Sequence, residues 1–141
     1  MSREAIYSAL FARLSAIKGI KTASRRVKVF SDVPGQMQPA LFQEQKGETV
    51  EQPGRGLPRK LKMLVWVWLY AKVDDHAAAP ATTLNALVDA VELALAPDAQ
   101  TGTCTLGGTV SHCWIAGKIE TDDGAQDSQA IARIPVEILV P

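Results

Sequence analysis

The stretch Leu61-Lys-Met-Leu-Val-Trp-Val-Trp-Leu-Tyr-Ala-Lys72 decides how the chain folds. Strand alternation sends Leu61, Met63, Val65, Val67 and Leu69 to one face and Leu64, Trp66, Trp68 and Tyr70 to the other. Both faces are apolar. Such a strand has to be covered twice, because water would otherwise touch on the order of several hundred Å² of apolar side chain.

C-terminal to this strand, after an Ala/Pro linker, Thr83 to Ala96 carries Leu84, Leu87, Val88, Val91 and Leu95 at helical spacing and meets Pro97. That helix can cover one face only. The segments Thr109 to Thr121 and Ser128 to Val140, joined by Asp122-Asp123-Gly124, read as a hairpin. In its second arm Ala130, Ala132, Ile134, Val136, Ile138 and Val140 point one way, and Pro135, which lacks an N–H, predicts an edge or bulged strand.

N-terminal to it, Ile6, Leu10, Leu14 and Ile17 make one stripe of an amphipathic helix over Arg3 to Lys18, with Ser2 as N-cap and Gly19 as stop. Arg26 to Phe30 alternates charge with valine and predicts a short strand. Asp32, Pro34, Gly35 and Pro39 punctuate a turn-rich stretch, after which Ala40 to Val50 predicts a long, mostly solvent-facing strand. Two prolines and two glycines in Gln52 to Arg59 stop both helix and ladder, which leaves a projecting loop at 52–60. The sum is an α+β domain over 1–141, two helices packed on one face of a mostly antiparallel sheet of about four to five strands. Two helices leave the second face of the central strand to a neighbouring subunit, or to the polar strand or the Pro/Gly loop of the same chain.

The chain's 141 residues, 47% hydrophobic and 21% charged, suit one globular unit and exclude collagen, mucin-like stalks and wholesale disorder. The longest apolar run, Met63 to Ala71, is less than half the ~20 residues that cross a bilayer, so no membrane partner is expected. The start MSREAIYS has no secretory pattern; a cytosolic site of synthesis and two free thiols, Cys104 and Cys113, follow as expectations. Formal charge is zero, yet Met1 to Lys72 holds 13 Lys+Arg against 5 Asp+Glu and Val73 to Pro141 holds 2 against 10. The basic half concentrates its charge in Lys18 to Lys28 and in Arg55, Arg59, Lys60 and Lys62.

Reactive constellations are missing. There is no Gly-x-Ser-x-Gly, no Walker-type loop and no His-Glu-x-x-His, and Gly54-Arg-Gly56 is too short for a nucleotide fingerprint. Cys104 and Cys113 are too far apart for a zinc pair, His112 points away from its neighbour Cys113, and His76 sits alone in a linker. Asp122, Asp123 and Asp127 lack the alternating ligands and distal Glu of a calcium loop. No catalytic residue, metal or cofactor is expected. Trp66, Trp68 and Tyr70, two apart with Lys60, Lys62 and Lys72 near the strand ends, could stack single-stranded bases; Leu64 on the same row favours packing instead.

Several segments together resemble one family. They are Ala9-Leu-Phe-Ala-Arg-Leu14, Pro39-Ala-Leu-Phe42 followed by Glu44 and Glu48, the strand Met63 to Tyr70, the helix Leu84 to Leu95, and Ala132-Arg-Ile-Pro-Val-Glu-Ile-Leu-Val140. In this pattern the chain is similar to the tail terminator (tail completion) proteins of long-tailed bacteriophages, a layout shared by other small phage neck proteins. The resemblance implies a non-enzymatic virion protein, assembled in the host cytoplasm, that forms a hexameric ring on the last ring of the tail tube. It would stop tube growth and dock the head-side connector, with DNA at most passing through the lumen. Its partners would be itself, the tube protein and the connector. A neighbour in such a ring would cover Trp66, Trp68 and Tyr70, and the loop bearing Arg55, Arg59 and Lys60, longer than the family leads one to expect, would reach a partner.

Overall fold

A computed structural model describes residues 2–72, 79, 81–123 and 129–141. His76, Gly124 and Asp127, which figured in the linker, turn and calcium-loop readings, lie outside the described residues.

The chain opens with α1 (Arg3–Ser15), whose N-cap Ser2 accepts a hydrogen bond from the Ala5 N–H at 3.2 Å through its Oγ. Ile6, Leu10 and Leu14 are buried on the expected stripe, joined by Tyr7. The helix ends a turn before Gly19, at the C-cap Ala16; Gly19 serves the following turn with φ +92°. Three strands follow: β1 (Thr22–Ser24), β2 (Ala40–Glu51) and β3 (Lys60–Lys72). Then come α2 (Ala81–Ala94), β4 (His112–Ile115), β5 (Glu120–Asp122) and β6 (Gln129–Val140). The six strands form one sheet in the order β1-β2-β3-β6-β4, with β5 also on β6; β1 and β2 run parallel and every other pair antiparallel.

Both helices lie on the same face. There Leu10, Leu14, Leu84 and Val91 pack against Met63, Val65, Val67, Leu69, Ala132, Ile134, Val136 and Ile138, all 0% exposed. The alternating apolar row of β6 is buried throughout, as its period of two predicts.

Three expectations need correction. Arg26 to Phe30 is not a strand: the short strand lies earlier, at Thr22–Ser24, and the chain then leaves the sheet through a turn in which Ser24 Oγ accepts from the Arg26 N–H. The sheet has six strands rather than about four to five, because the Thr109 to Thr121 arm divides into β4 and β5. The third concerns Pro135. β6 is an interior strand, flanked by β3 on one side and β4 and β5 on the other. The Pro135 carbonyl accepts from the Ala116 N–H at 3.0 Å, so the proline nitrogen faces that same side, where it has no proton to give. The outer pairing breaks there, β4 ending opposite Val136 and β5 resuming opposite Arg133. Gly117, with φ +107°, turns the chain within the break.

Candidate subunit and partner interface

The sheet face away from the helices carries Lys62, Leu64, Trp66, Trp68 and Tyr70 on β3, flanked by their register partners on β2 and β6. Tyr70 is buried within the chain. Neither the polar strand nor the Pro/Gly loop covers it; residues 27–39 do, packing Val27, Phe30 and Val33 on Ala40, Phe42, Tyr70 and Ile131. The Tyr70 hydroxyl donates to the Lys28 carbonyl at 2.7 Å, and its ring meets Phe42 at 5.3 Å between centroids. Buried Gln38 completes the attachment, its amide donating to the Val33 carbonyl and to the Gln129 side chain, each at 3.0 Å. Burial raises the Tyr70 pKa, and Glu44 adds to the rise. This crossing segment was illegible because its turn residues announce only a departure from helix and strand.

Trp66 and Trp68 stay half-buried, their rings edge to face at 6.1 Å. β2 and β6 flank β3, so cations reach Trp66 from both neighbours: Lys46 Nζ lies 4.3 Å and the Arg133 guanidinium 4.0 Å from the ring centroid. Lys46 is aimed there by a bulge, since Gln45 pairs with Val65 and Gly47 already with Leu64. Acids hold this layer in place. Glu44 accepts from the Trp68 indole N–H at 3.1 Å, and Glu120 binds Arg133 at 2.8 Å. The result is an amphipathic surface, on which His112 stacks against Trp114 at 4.8 Å. Its cations are not legible in the sequence, because a bulge and a cross-strand diagonal bring them in and a single strand's periodicity reveals neither.

The second feature is the β2–β3 hairpin. Beyond Glu44 every residue of β2 is exposed, and the pairing runs to Glu51 opposite Lys60. Arg55, Arg59 and Lys60 project from this end, where Val50 and Leu57 stand 53% and 54% exposed. Among the described residues none of the three cations has a hydrogen bond or ion pair. The structure thus places them away from Trp66 and Trp68, as two separate surfaces.

Chemistry is poorly served elsewhere. A concavity beside β1, about 760 Å³ in volume, is lined by Glu4, Arg25, Arg26 and Gln43. A hydrogen bond from Arg25, seconded by Ser8, lowers the Glu4 pKa and leaves it an ordinary carboxylate. Cys104 and Cys113 are free and buried; burial, with Cys104 adding, pushes the Cys113 thiol up to about 12. His112 Nδ1 accepts from the Cys104 backbone N–H at 3.1 Å, a structural role rather than a base for Cys113. Among the described residues no group of three or more His, Cys, Asp or Glu could hold a metal, and no helix is long and apolar enough to cross a membrane.

No family profile and no curated protein matches the chain. The fold, however, is found among solved structures. One of them is a chain from the virion of a native gene transfer agent particle, 13% identical, with a TM-score of 0.56 over 96% of this chain and 93% of that one.

Proposed function

We propose that this chain is a structural protein of a virus-like particle and acts as a tail terminator. In that role it forms a homo-oligomeric ring, of six copies by the family resemblance, that caps the tail tube, ends its growth and receives the head-side connector. One observation carries the reading. Trp66 and Trp68 form a half-exposed aromatic surface on a sheet whose other face is already filled by both helices. The likeness in fold to a virion chain, spanning nearly the whole of both, supports it. Tyr70 belongs to the chain's own second core and Trp68 packs on that core's edge, so the part of the aromatic row left to a neighbour is Trp66 and the half of Trp68 that stays open. Arg55, Arg59 and Lys60 form the partner-facing end.

Binding of single-stranded nucleic acid through the same row is the weaker reading. Stacked bases need an open ring, and Lys46 and Arg133 already lie against Trp66. Glu44, Glu120 and Glu137 on this face would also repel phosphate.

Native mass spectrometry at tens of micromolar and varied salt tests the ring: closed oligomers are expected, and monomer alone overturns autonomous assembly. Adding the chain to polymerising tubes tests the activity. Shorter tubes with one capped end are expected, and an unchanged length distribution refutes termination.

A further inference from the structure

The projecting hairpin end has a counterpart on the same molecule. Helix α2 buries Leu84, Leu87 and Val91 against the sheet and turns Asp89, Glu92 and Leu93 outward. Leu93 is 77% exposed, more than any other large hydrophobic residue described. It stands beside two carboxylates that have no ion pair among the described residues. Residues 73–117 contain no lysine or arginine, and Arg13 of α1, which reaches the end of α2, is spent on the Ala94 carbonyl at 3.4 Å rather than on either carboxylate. The hairpin end shows the converse pattern, with exposed Val50 and Leu57 among Arg55, Arg59 and Lys60 and only Glu51 as a nearby acid. Each surface is an apolar spot beside charges mostly of one sign, and the prevailing signs are opposite.

From this complementarity we infer that the β2–β3 hairpin of one copy docks on the outer face of α2 in the next copy. Leu57 and Val50 meet Leu93 while Arg55, Arg59 and Lys60 face Asp89 and Glu92. The contact joins two different patches, so it is head-to-tail, the kind that closes into a ring when the rotation per subunit permits. It rests on the ring reading above and names the partner of the hairpin as a second copy of this chain. It also gives the opposite charges of the two halves a use, in steering copies together and fixing their register.

Sedimentation velocity of the full chain at low salt tests the contact with four proteins. They are the wild type, Arg55→Glu with Arg59→Glu, Asp89→Lys with Glu92→Lys, and all four substitutions together. Each reversed pair is expected to weaken self-association by about tenfold or more, and the fourfold variant to recover most of that loss, because the charges oppose again. All four positions are exposed, and circular dichroism with thermal melting verifies that each variant is folded. If the wild type assembles and either reversal leaves it unchanged, the docking is overturned and the ring reading stands. Weakening by both pairs without recovery in the combination means that the two surfaces do not meet. A wild type that stays monomeric overturns both the docking and the autonomous ring.

Discussion

The hydroxyl of Tyr70 ties residues 27–39 to the C-terminal end of β3 through its 2.7 Å bond to the Lys28 carbonyl. Tyr70→Phe removes that bond and keeps the ring, so a loss of about 1 kcal/mol in denaturant unfolding is expected. Tyr7 works on the opposite face, donating to Glu48 at 3.2 Å while Arg3 holds the same carboxylate at 2.8 Å. Burial and the Glu48 charge push the Tyr7 pKa to about 12 from 10.0. The folded chain therefore binds that proton more tightly than the unfolded chain. The resulting stability is fully present below pH 10 and falls as pH rises through 10 to 12. Unfolding free energies measured across that window should decline in the wild type and decline less steeply in Tyr7→Phe. The buried thiols give a third expectation. Alkylation of Cys104 and Cys113 at neutral pH should proceed only at the rate of unfolding, and rapid labelling of the native chain would contradict their enclosure.

Among the elements, those with strong periodicity were legible and those set by partners were not. β3 and β6 bury the rows their alternation predicts, and α1 and α2 bury their stripes, because residues facing a filled core must be apolar at the spacing of the backbone. The strand expected at Arg26 to Phe30 failed for the opposite reason. Alternating valine and charge does not reveal that Tyr70 and Gln38 will recruit this segment as a cover for the outer face. Of the candidate site, the aromatic row could be read directly; its cationic frame, Lys46 and Arg133, depended on a bulge and on register. The divided partner of β6 makes its own prediction. Gly117 has φ +107°, and a Cβ there would sit 3.4 Å from the Pro135 ring. Gly117→Ala should cost about 1 kcal/mol or more in thermal or chemical unfolding, through strain in the turn.

At the scale of the molecule, the sheet sorts its two faces by task. One is filled by helices, and the other is half covered by 27–39 and half left to an aromatic and charged layer. Trp66→Ala with Trp68→Ala should leave secondary structure intact by circular dichroism while shifting native mass spectra toward monomer. Unchanged oligomers would remove the aromatic row from the interface.

The gap in pairing opposite Pro135 bears on what the molecule avoids. On that flank β6 meets only two short strands, and on the other flank β2, left bare past Phe42 by β1, carries a bulge at Lys46 and the charges of Glu48 and Glu51. Neither margin presents a long straight run of free backbone groups on which a foreign strand could zip. Endless main-chain templating between copies is therefore disfavoured. Such margins guard the folded chain against fibres.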